Sequence, residues 1–223
     1  MGKHVNLTAA DNFKLGGYRA DPAGAPKGGL VVIQEIFGVN SHIRNVTDRL
    51  AKEGYVAVAP ALFDRQTPDF QSGYTPDEVA NARKFIASPD WDAMLRDTQA
   101  AIDEIKGAGP IGIIGFCMGG SVSFLAATRL NGLKAAVCYY GGAIVKFADE
   151  KPKCPVQMHF GAQDHGIPLT DVETIKMKRP EAEIFIYDDA GHGFHCDERS
   201  AFHKPSADIA WGRTTEFLKK NLK

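Results

Sequence analysis

Ile111-Gly112-Ile113-Ile114-Gly115-Phe116-Cys117-Met118-Gly119-Gly120-Ser121 is the stretch on which the fold turns. An apolar strand runs through a single tight turn directly into a helix. Gly115-Phe116-Cys117-Met118-Gly119 has the spacing of a nucleophile elbow, G-x-S-x-G, with cysteine in place of serine. The spacing has a physical cause. A residue on so sharp a turn needs small neighbours two before and two after it, or strand and helix could not approach. The turn then presents Cys117 at a helix N-terminus, where the dipole favours a thiolate. The backbone N–H of Met118 is placed to face an oxyanion formed during acyl transfer.

A cysteine between glycines is more commonly a core thiol. Two downstream segments favour chemistry instead. An apolar strand at Val156–Phe160 leads into Gly161-Ala162-Gln163-Asp164, and one at Glu183–Tyr187 leads into Asp188-Asp189-Ala190-Gly191-His192. The order Cys117, Asp164, His192 is that of nucleophile, acid and base on a strand–helix scaffold. His192 would take the thiol proton and return it to the leaving group. Asp164 would fix the imidazole tautomer.

Outward from these motifs, short apolar runs alternate with segments of helical period. Strands are expected at Leu30–Gln34, Tyr55–Ala59, Gly112–Phe116, Ala135–Tyr140, Val156–Phe160 and Glu183–Tyr187. The first five are nearly continuously apolar, as parallel strands buried on both faces are. A hairpin is expected near Val5–Ala9 and Phe13–Arg19. Helices are predicted at His42–Lys52, capped by Ser41, and at Pro76–Ala87, Trp91–Lys106, Met118–Leu130, Leu169–Lys178 and Ser206–Leu222. The pattern predicts one α/β domain over residues 1–223, a mostly parallel sheet with helices on both faces.

Composition narrows the function. Of 223 residues, 26 are basic and 27 acidic, giving a net charge of −1, too little field to attract nucleic acid or an anionic membrane. No apolar run is long enough for a membrane span, and Met1 to Thr8 does not read as a signal peptide. The four cysteines, Cys117, Cys138, Cys154 and Cys196, are therefore expected as reduced thiols in a cytoplasm. His192, His195, Cys196, Asp197 and His203 lack the spacing of a zinc site, and no phosphate-binding glycine loop is present, so no metal is expected.

Taken together, Gln34-Glu35-Ile36-Phe37-Gly38-Val39-Asn40, the cysteine elbow, Tyr139-Tyr140-Gly141, Gly161-Ala162-Gln163-Asp164-His165 and Ala190-Gly191-His192-Gly193-Phe194 resemble the dienelactone hydrolases. The resemblance covers nearly the whole chain and implies the α/β-hydrolase fold. It also implies a cytoplasmic carboxymethylenebutenolidase-like activity on enol-lactones of aromatic degradation, without metal or cofactor. It gives the second oxyanion amide to Ile36 and sets Glu35 beside the thiol as a carboxylate that holds it in reserve. A carboxylate there would raise the cost of the thiolate.

The sequence departs from that family where serine directly succeeds the triad histidine and arginine comes three residues later: Gly193 and Cys196 stand there. Arg199 or Arg83 is the candidate to meet a substrate carboxylate instead. Phe37, Tyr139 and Phe194 are expected as apolar walls; of Tyr139 and Tyr140, one lines the pocket and the other is core. The expected partner is a small ester or lactone carrying a carboxylate, and the expected state a monomer or weak homo-oligomer. Two alternatives stay open: a general carboxylesterase or thioesterase with the same triad, and a non-catalytic binder or thiol redox sensor on the same scaffold.

Overall fold

The computed structural model describes residues 2–223. The chain clusters into two compact units, divided between Ile113 and Ile114, inside a strand.

The first unit begins with β1 (Lys3–Thr8) and β2 (Lys14–Ala20), an antiparallel hairpin in which Leu7 pairs with Leu15. Its turn uses Asn12 at φ 64°, a conformation asparagine tolerates better than most residues. β2 pairs antiparallel with β4 (Val56–Pro60), and β4 parallel with β3 (Gly29–Ile33), giving the order β1-β2-β4-β3. β3 and β4 are buried at every position, because α1 (Ser41–Lys52) and α3 (Trp91–Ile105) pack against both.

Asn40, not Ser41, caps α1: its side-chain oxygen accepts the Ile43 N–H at 3.3 Å. Ser41 is the first helical residue, because Asn40 already holds the extended backbone that a cap requires. The helix expected over Pro76–Ala87 divides in two. α2 runs Pro76–Ala82, held by a reciprocal Thr75–Glu78 capping box, and Arg83–Ile86 tightens into a 3-10 turn before the Ser88-Pro89 step. Asp97 on α3 is buried and receives two hydrogen bonds from Arg65, at 2.8 and 2.7 Å.

The second unit takes up β5 (Ile111–Phe116) and continues through α4 (Met118–Arg129), β6 (Leu133–Tyr139), the one-turn α5 (Ile144–Phe147) and β7 (Val156–Gly161). α6 (Leu169–Lys178), β8 (Glu183–Tyr187) and α7 (Lys204–Asn221) complete it. The strand order is β5-β6-β7-β8, with β6–β7 and β7–β8 parallel. α4 and α7 both pack on β6. β7 is buried throughout, whereas β8 at the edge is exposed at Glu183 and only half-buried at its centre. Strand–helix alternation with parallel pairing agrees with the expected α/β class. Sequence periodicity set these elements to within a few residues; of the α-helices it missed only α5, which is too short to show a period. Among the described residues no disulfide forms, and no helix is long and apolar enough to cross a membrane.

Candidate active site

Cys117 occupies the turn between β5 and α4 at φ 56°, ψ −118°, a left-handed backbone that costs a non-glycine residue about 1–3 kcal/mol. Neighbouring glycines make that turn possible. A Cβ on Gly115 would sit on the Gly119 carbonyl oxygen, and one on Gly120 would sit on that of Tyr139. The Cys117 N–H donates to the Tyr139 carbonyl at 3.0 Å, which ties the elbow to the end of β6. Met118 opens α4, so no carbonyl of its own helix can receive its N–H.

Two strand ends bring the partners. β7 ends at Gly161, and Asp164 sits in the next turn, closed by its own N–H to the Gly161 carbonyl at 3.3 Å. Asp164 is 4% exposed. One carboxylate oxygen accepts the Gly166 N–H at 2.8 Å; the other lies 2.7 Å from His192 Nδ1. A carboxylate only accepts, so Nδ1 carries the proton and Nε2 is left for the thiol. Nε2 lies 3.1 Å from Cys117 Sγ. Cys117, Asp164 and His192 thus form one continuous chain of contacts within the second unit.

The charge balance favours a protonated imidazole. Burial is the largest influence on His192 and opposes its charge. The negative charge of Cys117, together with hydrogen bonds to Asp164 and to Cys117, outweighs burial and raises the imidazole pKa to about 10. The arrangement therefore sets a sulfur 3.1 Å from an imidazole able to exchange protons with it, the pairing that nucleophilic chemistry at a cysteine requires.

The remaining residues singled out from sequence divide between the two units. Glu35, Ile36 and Phe37 come after β3 in the first unit and are buried, Phe37 meeting Tyr74 edge-on at 4.7 Å. Arg83 is exposed on the 3-10 turn of that unit. In the second unit Tyr139 is fully buried with its hydroxyl 2.7 Å from Thr214 Oγ1, and Phe194 is fully buried against Tyr187, their rings 5.1 Å apart. Both are packed in the core. Tyr140 is equally buried, and its ring stands beside His192, at 5.2 Å. Tyr140 is also left-handed, at φ 39°. The expectation puts one of the two tyrosines at the pocket and names Tyr139 for the wall, and nothing in the sequence says which of the two ends the strand.

Arg199 is brought to the histidine loop. Gly193 lies at φ 80°, and a Cβ on it would be 2.5 Å from Arg199 Nη1. The guanidinium thus occupies the space left by the missing side chain next to His192. Among the possible metal ligands, His192 is held by Asp164 and Cys117, and His203 Nδ1 lies 2.8 Å from Ser206 Oγ. His195 is 3% exposed and stacks on Phe116 at 5.3 Å.

Residues 15–222 match the dienelactone hydrolase family. A Synechocystis sp. protein provisionally named carboxymethylenebutenolidase is 38% identical, over 95% of this chain and 94% of its own. The carboxymethylenebutenolidase of Pseudomonas putida is 31% identical, over 96% and 94%. The crystal structure of a provisionally named dienelactone hydrolase from Klebsiella pneumoniae has a TM-score of 0.86 at 30% identity, covering 98% of this chain and 99% of its own. The Pyrococcus furiosus esterase Pf2001, 19% identical with a TM-score of 0.75 over 100% and 93%, shares the fold. The chain belongs to the dienelactone hydrolase family, has the α/β-hydrolase fold and is a carboxylic-ester hydrolase.

Proposed function

We propose that this hydrolase uses Cys117 as nucleophile, His192 as base and acid, and Asp164 as the group that orients His192, on small enol-lactones or esters that carry a carboxylate. The observation that supports the triad most directly is the pair of contacts at His192, 2.7 Å to Asp164 and 3.1 Å to Cys117. The thiol gives its proton to Nε2 and the sulfur attacks the substrate carbonyl. The tetrahedral oxyanion takes the Met118 N–H. Its collapse breaks the ester C–O bond, and His192 returns the proton to the leaving oxygen. Water, deprotonated by His192, then attacks the thioester and regenerates the thiol.

An enol leaving group suits sulfur. A thiolate departs readily, so from a substrate with a poorer leaving group the tetrahedral intermediate would expel sulfur and return to ester. The roles of Ile36 as a second oxyanion amide and of Glu35 as a carboxylate restraining the thiol rest on the family resemblance of Gln34–Asn40. The carboxylate preference is supported by Arg199, whose guanidinium lies against Gly193 beside His192.

The test is turnover of a dienelactone and of neutral aryl esters by the wild type and by Cys117→Ala. Loss of about 10⁴-fold or more in kcat, with a cysteine-linked acyl adduct trapped in the wild type, is expected. Undiminished hydrolysis by Cys117→Ala would sink the mechanism. Faster turnover of neutral aryl esters than of the dienelactone would favour a general carboxylesterase.

A further inference from the structure

Beneath the elbow, β6, β7, β8 and α7 of the second unit enclose a chain of polar side chains that the proposed chemistry does not use. His159 on β7 is fully buried, stacked on Tyr139 at 4.5 Å and Phe185 at 5.7 Å. Its Nδ1 lies 2.8 Å from the Tyr187 hydroxyl and its Nε2 lies 2.9 Å from Gln157 Oε1. Thr214 Oγ1, on α7, is 3.1 Å from the same Nε2 and 2.7 Å from the Tyr139 hydroxyl.

The donors and acceptors fit together in one sense. Gln157 Nε2 donates to Glu183 at 3.0 Å, so Gln157 Oε1 faces His159 as an acceptor and Nε2 of the histidine bears the proton. Nδ1 is then an acceptor, and Tyr187 donates to it. The Tyr187 oxygen in turn receives Arg213 Nη1 at 3.3 Å. The chain runs from the Arg213 guanidinium, which also lies over the Phe185 ring at 4.1 Å, inward to His159 and then to Thr214 and Tyr139.

Tyr139 is where this chain meets the elbow. Its carbonyl receives the Cys117 N–H at 3.0 Å, and Gly120 lies against the same oxygen. The next residue, Tyr140, donates its N–H to the His159 carbonyl at 2.8 Å. Two left-handed residues, Cys117 and Tyr140, therefore converge on one peptide. Strained conformations of this kind persist only where the surroundings over-determine them. Here the over-determination comes from below, through the Tyr139 side chain and the His159 backbone.

We propose that Thr214 and His159 are positioning residues: by fixing Tyr139 they fix the carbonyl that receives the Cys117 N–H, and so set the thiol against His192. The proposal rests on the reading of Cys117 as nucleophile. It assigns a function in catalysis to side chains that never meet the substrate. A network that served stability alone would leave the thiol–imidazole pair unchanged when cut.

Thr214→Val removes the hydroxyl and keeps the shape; Tyr139→Phe cuts the same link from the other side, should the first variant fail to fold. In either, kcat is expected to fall between about 10- and 100-fold with KM nearly unchanged, the loss typical of a small misplacement. The pH profile for iodoacetamide labelling of Cys117, followed on its own peptide by mass spectrometry, should move to higher pH as the sulfur leaves the imidazole. Thr214→Ser should restore both. Unchanged kcat and an unchanged labelling profile in a folded Thr214→Val or Tyr139→Phe would overturn the proposal. Cys117→Ala is assayed alongside: if it stays active, the nucleophile assignment fails, whereas an inactive Cys117→Ala with unimpaired network variants fails the positioning role alone.

Discussion

Gly193 and Arg199 share one space: a Cβ on the glycine would be 2.5 Å from the guanidinium of the arginine, beside His192. Of the two arginines the sequence offers for a substrate carboxylate, Arg199 is thereby the one set against the residue next to His192. Arg199→Gln should raise KM for carboxylate-bearing esters about 10- to 100-fold, the worth of a charged hydrogen bond, and leave neutral esters of equal size unaffected. Steady-state kinetics on the two ester series measures this, and equal effects on both would remove the carboxylate role.

Gly193→Ala should reproduce that phenotype by displacement. It also puts a side chain at φ 80°, which costs about 1–2 kcal/mol. Thermal melts should show a loss of about 2–8 °C for a chain of this size, with the same selective rise in KM. A variant with wild-type KM would mean that the arginine tolerates the intrusion.

Asp164 lies 2.7 Å from His192 Nδ1, where the proposed mechanism has it orient the imidazole. Asp164→Asn is expected to lower kcat by about 10³- to 10⁴-fold, as removal of the orienting acid does in comparable triads. It should also shift the pH dependence. Asp164 is among the groups that raise the His192 pKa to about 10, so the protonated imidazole persists to alkaline pH and its removal moves the alkaline limb of kcat/KM downward. A limb that stays in place would show that Asp164 does not sustain the charge.

His159 ties stability to pH in the opposite direction. Burial, with a smaller contribution from the Arg213 charge, lowers its pKa to about 3. The folded chain thus resists a proton that the unfolded chain accepts near pH 6.5. Stability is whole above about pH 6.5 and is lost as pH falls toward 3, by about 2 kcal/mol at pH 5 from this residue alone. Urea melts at pH 7 and pH 5 should show that loss in the wild type and a smaller one in His159→Gln. Equal losses would place the acid sensitivity elsewhere.

Much of this was legible because the decisive signals are local. An apolar strand that passes through a turn bracketed by Gly115 and Gly119 can enter a helix in few other ways, and Asp164 and His192 lie within a few residues of strand ends fixed by composition. Side-chain direction was not local. Tyr139 and Tyr140 are indistinguishable in sequence, and their roles divide only where β6 ends and Tyr140 turns left-handed. Asn40 and Ser41 are both good caps, and backbone entry to α1 chose between them. The network at His159 draws on Gln157, Tyr187 and Thr214, up to 57 positions apart, which no motif joins.

The glycines of the elbow also bear on how such an enzyme could change over time. Gly115 and Gly120 each face a carbonyl oxygen where a methyl group has no room, so the frame around the sulfur admits almost no substitution. The loop after β8 is under a different constraint. There one glycine opens a space that a side chain six residues on can enter, and other residues could enter it as well. On the proposed role of Arg199, preference for one ester over another can be rewritten in that loop while the reaction itself stays fixed.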